Sequence, residues 1–294
     1  MVKGHKKYQY TINVILILVT LCMVLPLVLL FMSSISSENT LIVNGYSFFP
    51  KEFSLAAYEY IWTNRMTIFR AYGITILVTV VGTTLNVVMS TMLAFALSIK
   101  KLPFKKIISF YVIFTMLFSG GLVPSYIMWT SVFHIKNTIF ALLLPNLMLS
   151  AMNIMLIRTF FVNSIPEAIY EAAKIDGASY FTIFRKIAIP LGKPIIVTIS
   201  LFSGLAYWND WTNGLYYINN PKLYSIQTLL NKMIQDLQAI QANAAAAASG
   251  AGTAIPQVSV RMAIAFVALL PILAIYPFLQ KYFAKGIALG AVKG

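Results

Sequence analysis

The chain has 294 residues, of which 59% are hydrophobic and only 10% charged, with a mean hydropathy of +0.80 and a net charge of +14. Soluble domains carry about 25% charged residues, so this composition excludes a water-soluble globular protein and predicts a polytopic membrane protein. The single cysteine, Cys22, excludes an intrachain disulfide.

A helix needs about 20 mainly apolar residues to cross a hydrocarbon core about 30 Å thick. Six stretches qualify, near 11–32, 71–99, 107–130, 138–160, 187–208 and 261–281, predicting an all-α protein with six transmembrane helices. The first is too long for a signal-peptide core, and Met23, Val24, Leu25 and Pro26 offer no small-residue cleavage site. Residues 1–70 thus read as a tail, a first span and an outer segment. In that segment Asn44-Gly45 marks a turn, and Ser54 is positioned to cap a helix carrying Leu55, Tyr58, Ile61 and Trp62 at the membrane interface.

The basic charge follows the membrane, which argues against nucleic acid as a partner. Six spans with both ends on one side place 15 of the 22 Lys+Arg together, among them Lys3, Lys100, Lys101, Lys105, Lys106, Arg158, Lys174, Arg185 and Lys186. The positive-inside rule makes that side, with both termini, cytoplasmic. Residues 209–260 then form the longest outer loop, opening on Trp208 and Trp211 and ending in an alanine-rich low-complexity stretch around 241–256. Within the spans, Asn86, Ser90, Thr91, Asn146, Asn153, Ser200, Ser203 and Gly204 serve either as interhelical glue or as a pore lining.

Catalytic groupings are missing from the sequence. His5 and His134 make neither a metal cluster nor an acid–base pair. Gly192-Lys193 is followed by Pro194 and has Ile187 where a phosphate-binding loop requires its first glycine, so ATP is not expected to bind by that route. Neither a metal nor a cofactor is expected on this chain, and Glu167 and Glu171 read as surface charges rather than a catalytic pair.

The stretch 164–190 predicts a helical hairpin on the basic side. Ser164-Ile165-Pro166-Glu167 has a capping-box pattern, the first helix should stop at Gly177, and a second should open near Ser179 and run into the fifth span at Pro190. Ile165, Ile169, Ala172 and Ala173 form a small apolar stripe, and Phe181, Phe184, Ile187 and Ala188 share a side of the second helix. The pattern alone fits either a loop resting on lipid headgroups or an element gripped by a cytoplasmic partner.

The residues Glu171-Ala172-Ala173, Asp176-Gly177-Ala178, Phe184, Ile187 and Pro190 resemble the EAA motif of permease subunits of binding-protein-dependent ATP-binding-cassette importers. The motif is similar to that of the carbohydrate-uptake group related to the maltose-transporter permeases. Phe118 to Pro124, Trp208-Asn209-Asp210 and the tail from Lys285 to Gly294 are similar to signatures of the same group. The resemblance implies the type I importer permease fold, with a core over 71–285 and a cytoplasmic tail at 286–294. It further implies a non-catalytic subunit of a bacterial cytoplasmic membrane, importing oligosaccharides foremost. A second permease, two ATPase subunits hydrolysing ATP with Mg²⁺, and an extracytoplasmic sugar-binding protein would be its partners. Glu171, Ala172, Ala173, Asp176, Gly177, Phe184, Ile187 and Pro190 would couple to the ATPases, and Gly290, Lys293 and Gly294 of the tail would contact them. No sugar-binding residue is assigned. An importer for a non-sugar solute and an ATP-independent secondary transporter stand as alternatives, the latter disfavoured by the lack of a central charged residue and of inverted repeats.

Overall fold

The computed structural model describes residues 4–242 and 258–291. The chain divides into two compact units, one of Met1–Ile68 with Leu230–Ala274 and one of Phe69–Leu229 with Ile275–Gly294. No strand occurs among the described residues, only an isolated bridge between Ser36 and Phe53.

In the first unit, α1 (Gly4–Ser34) runs unbroken through Pro26. None of its most apolar stretch is buried, which leaves that surface to lipid or to other chains. The short α2 (Glu38–Asn44) is capped by the Ser37 hydroxyl and ends at Gly45 (φ 74°), matching the turn expected at Asn44-Gly45. For α3 (Ala56–Thr63) the cap position belongs to Leu55 rather than Ser54, because the Ser54 hydroxyl accepts instead from the Ala56 N–H at 3.2 Å, two residues on. Glu38 caps the start of the final helix (Val258–Ala291), accepting from the N–H groups of Val258 (2.9 Å) and Ser259 (2.8 Å) and from the Ser259 hydroxyl (2.7 Å). A carboxylate there satisfies orphan donors and faces the positive end of the helix dipole.

The helix α4 (Arg65–Ser98) spans the second predicted segment without a break. The next three expected spans are interrupted. Residues 107–130 divide into α5 (Lys105–Leu117) and α6 (Leu122–Ile127), the latter continued by a π-helical turn Met128–Val132, with a bend of 113° at the intervening glycines. Residues 138–160 are not one helix but α7 (Phe140–Leu143) and α8 (Ala151–Ser164), separated where Pro145 lacks an N–H, Asn146 is left-handed (φ 62°) and Ser150 caps α8. Among the described residues, two helices are long and apolar enough to cross a membrane alone, and two bent pairs meet the same test together.

The expected fifth span at 187–208 begins later, with α12 (Lys193–Trp208). It meets the preceding helical stretch at 80°. At that corner Gly192 is buried, and a Cβ there would lie 2.4 Å from a ring carbon of Phe161 and 2.7 Å from the Ala188 carbonyl oxygen. The close approach demands glycine, and it makes the corner a packed joint rather than the straight continuation the sequence suggested. Beyond α12, the expected outer loop is largely helical where it is described, with α13 (Thr212–Tyr217), a 3-10 turn Pro221–Leu223 and α14 (Ile226–Ala242). Most of the alanine-rich stretch, residues 243–256, lies outside the described residues.

Candidate functional site

The hairpin that carries the motif is built from α9 (Glu167–Ile175), α10 (Tyr180–Ile183), a π-helical turn Phe184–Ala188 and α11 (Ile189–Leu191). The expected capping box at Ser164 does not form, because Ser164 is the last residue of α8. Ile165 is extended (φ −110°, ψ 113°), as a residue before proline prefers, and Pro166 takes the cap position with no side-chain bond. Glu167 instead forms an ion pair with Lys100, whose pKa is raised by that hydrogen bond and by the charge of Glu167.

The stop and restart of the hairpin follow the sequence closely. Gly177 is left-handed (φ 80°), with its N–H on the Lys174 carbonyl at 3.0 Å, and the Ala178 N–H reaches back to the Ala173 carbonyl at 2.9 Å. These two bonds make a Schellman ending. Ser179 then accepts from the Thr182 N–H at 3.2 Å and opens α10.

Packing divides the hairpin into two faces. Ile165, Ile183 and Ala188 are buried in a core with Ala94, Leu97, Ile157 and Phe161, and Tyr170, Ala173, Ala178, Phe184 and Ile187 pack against it. Phe95 of α4 is the hub, with ring centroids 5.2 Å from Phe184, 6.1 Å from Tyr170 and 6.4 Å from Phe161. Edge and tilted ring contacts of this kind add to simple area burial. Burial pushes the Tyr170 phenol up to about 12. The other face carries Glu171, Ala172, Asp176 and Gly177, all exposed, together with Ile175, which is 87% exposed.

The predicted stripe of Ile165, Ile169, Ala172 and Ala173 is therefore split. Ile165 and Ala173 face the core, whereas Ile169 and Ala172 are exposed. Of the motif residues, Ala173, Phe184 and Ile187 pack inward, and Pro190 is exposed in α11. Phe95, Phe161 and Tyr170 were not singled out from the sequence, and their aromatic character on helical segments was the only available sign. Gly290 belongs to the final helix Val258–Ala291, while Lys293 and Gly294 lie outside the described residues.

Three of the intramembrane polar residues bond one another. Asn86 donates to the Leu147 carbonyl (2.7 Å), and its Oδ1 accepts from Ser203 (2.8 Å) and Asn153 (3.2 Å). This ties α4, α8 and α12 together, which is the interhelical role expected of such residues. A cavity of about 180 Å³ borders the knot, lined also by Asn146 and Phe202.

The far end of this unit is locked by hydrogen bonds between distant segments. Asn137, left-handed at φ 57°, accepts from the Asn219 N–H (2.6 Å) and the Asn220 N–H (3.1 Å). Tyr126 stacks on Tyr217 at 5.8 Å. Burial raises the pKa of Asp210, although the N–H groups of Asn213 and Thr212 on its carboxylate pull the other way.

Comparison with known proteins agrees with this geometry. Residues 86–289 match the family described as binding-protein-dependent transport system inner membrane component. The polygalacturonan/rhamnogalacturonan transport system permease protein YtcP of Bacillus subtilis (strain 168) is 35% identical, over 99% of each chain. The melibiose/raffinose/stachyose import permease protein MelC of the same organism is 27% identical over 84% of this chain and 83% of its own. Among solved structures, a chain of a bacterial ABC transporter involved in the import of the acidic polysaccharide alginate superimposes with a TM-score of 0.78. It is 27% identical, with 96% of this chain and 99% of that one covered. The chain belongs to the family of inner membrane permease components of binding-protein-dependent transport systems.

Proposed function

We propose that this chain forms half of the translocation pathway of an ATP-driven importer for oligosaccharides, and that its hairpin is the element gripped by the ATPase subunits. The two-faced hairpin carries the reading: Tyr170, Ala173, Phe184 and Ile187 pack on the core, while Glu171, Ala172, Asp176 and Gly177 are left exposed. A small exposed face on a packed block suits docking into a partner's cleft, because force on the face moves the block as a rigid body. ATP and Mg²⁺ would be handled by two cytoplasmic ATPase subunits, and solute would be delivered by an extracytoplasmic binding protein to a pathway shared with a second permease. The tail residues Gly290, Lys293 and Gly294 would add a second contact to the ATPases. Recovery of a second permease and an ATPase with the tagged chain, in the absence of crosslinker, is the expected result; the chain purifying alone would defeat the proposal.

Both termini and the hairpin would be cytoplasmic, by the distribution of Lys and Arg. In a Cys22→Ser background, a cysteine at Ser179 should resist an impermeant maleimide in intact cells, whereas one at Asn44 should react. As to solute, two of the relatives act by name on acidic polysaccharides, polygalacturonan and alginate. Oligomers of uronic acids are accordingly the first candidates. They should raise the melting temperature of the cognate binding protein more than neutral oligosaccharides at equal concentration, since stabilisation grows with ligand concentration over Kd.

A further inference from the structure

Two neighbouring cavities flank the joint between the end of α4 and the hairpin. The larger, about 440 Å³, is bordered by five cations, Lys100, Lys101, Lys105, Arg158 and Lys174, against two carboxylates, Glu167 and Glu171. One of those carboxylates is engaged by Lys100. The smaller, about 330 Å³, is apolar, with Met92, Leu102, Pro103, Phe181 and Phe184 in its walls. They share Phe95, Ile99, Lys101 and Tyr180, and among the described residues Lys101 is the only cation that borders both.

We propose that this double cavity binds an anionic phospholipid, with the headgroup phosphate in the basic cavity and the start of an acyl chain in the apolar one. The chemistry of each half points to one ligand. Free phosphate has no use for an apolar extension, and a zwitterionic lipid gains little from an excess of three positive charges. Among the described residues the exposed Lys101 side chain has no hydrogen-bond or ion-pair partner, whereas Lys105 donates to the Ile99 carbonyl at 3.0 Å and Arg158 to the Leu97 carbonyl at 3.2 Å. Lys101 is thus free to take the phosphate at the junction. The site also rests on the cytoplasmic placement of the hairpin, where the leaflet surface is anionic and basic residues add to lipid attraction. A lipid seated there would touch Phe95 and Phe184, the rings that hold the hairpin, and so would stiffen the docking block.

The test uses the permease purified with its partner subunits, stripped of lipid in detergent and titrated with phosphatidylglycerol or phosphatidylcholine of the same chains, with bound lipid counted by native mass spectrometry. Phosphatidylglycerol should be retained in preference to phosphatidylcholine, and excess inorganic phosphate should not displace it. Lys101→Gln should weaken its binding about fivefold, the contribution of one basic residue at a lipid surface. Lys106→Gln removes an exposed charge that borders neither cavity and should have no effect. Leu102→Ala should also weaken lipid binding. Equal losses in the Lys101 and Lys106 variants, equal retention of the two lipids, or displacement by phosphate would each overturn the site. The titration is done in detergent, so maleimide labelling in cells fails or succeeds independently of it and reports on the orientation alone.

Discussion

The hairpin and the far end of the second unit both hold together chain segments that are distant in sequence through a buried apolar cluster, but the far end adds a set of directional ties. At the hairpin the contacts are apolar: Phe95 meets Phe161, Tyr170 and Phe184, and small residues fill the spaces between. At the far end directional ties supplement a cluster that includes Val78, Leu142, Tyr217 and Ile218. Asn137 accepts from the backbone of Asn219 and Asn220, Tyr207 donates to the Leu143 carbonyl at 2.8 Å, Asn213 donates to the Pro145 carbonyl at 3.0 Å, and the Ile226 N–H donates to Thr75 at 2.9 Å. Hydrophobic contact is non-directional and tolerates a small slide, while a hydrogen bond weakens steeply with misalignment. On the coupling proposal, the hairpin end would shift as a block, while the hydrogen bonds of the far end would keep its register.

The largest effect should come from removing the hub. Phe95 is 7% exposed, and Phe95→Ala should cost about 3–5 kcal/mol, the usual range for a buried phenylalanine. Hydrogen exchange across 164–190 should rise sharply, while the segments around Asn137 and Asn219 stay protected. Uniform loss of protection at both ends would break the comparison, since it would mean that the two regions are one cooperative unit.

That hub shows where the sequence stops being legible. The hairpin ending was readable because Gly177 and Ser179 act on backbone groups within a few residues of themselves, and local rules describe such bonds. Phe95 acts on rings 66 to 89 positions away in the chain, as the residue numbers of Phe161, Tyr170 and Phe184 show. No periodicity within one helix marks which aromatic will be central. The broken spans escaped for a related reason. Hydropathy counts apolar residues and is blind to a left-handed Asn146 or to Phe161 pressing on Gly192. The Ser164 cap failed where two local rules competed, and the extended preference of Ile165 before Pro166 won.

The next effect in size separates the backbone of the hairpin from its surface. Gly177 has φ 80°, and open space surrounds the place a Cβ would occupy. Gly177→Val should therefore lose about 1–3 kcal/mol from backbone strain alone, with Gly177→Ala milder. Glu171→Lys reverses an exposed charge and should leave the melting temperature nearly unchanged, yet on the coupling proposal it should abolish uptake and lower the ATPase-to-permease ratio after purification. Wild-type uptake in both Gly177→Val and Glu171→Lys would reduce the hairpin to a surface loop. At the other end, Asn137→Ala removes an acceptor for two N–H groups on exposed residues, which water can replace. It should cost about 1 kcal/mol and raise exchange near 219–220 without touching the hairpin.

The smallest effect is expected from the ion pair at the hairpin. The Lys100–Glu167 pair lies in solvent, with the two side chains 75% and 43% exposed, and exposed pairs contribute little because water and salt screen them. The sign of its pH dependence is fixed. Because the folded protein holds the Lys100 pKa above the ordinary 10.5, the contribution is fully present below that value and is lost only as pH rises through the higher folded one. Lys100→Gln should thus produce the same slight loosening of the hairpin at pH 7 and pH 9, a loosening that added salt also produces in the wild type. If Lys100→Gln freed the hairpin as thoroughly as Phe95→Ala, charge rather than ring packing would be holding it, and the contrast between the two ends of the unit would have to be drawn the other way.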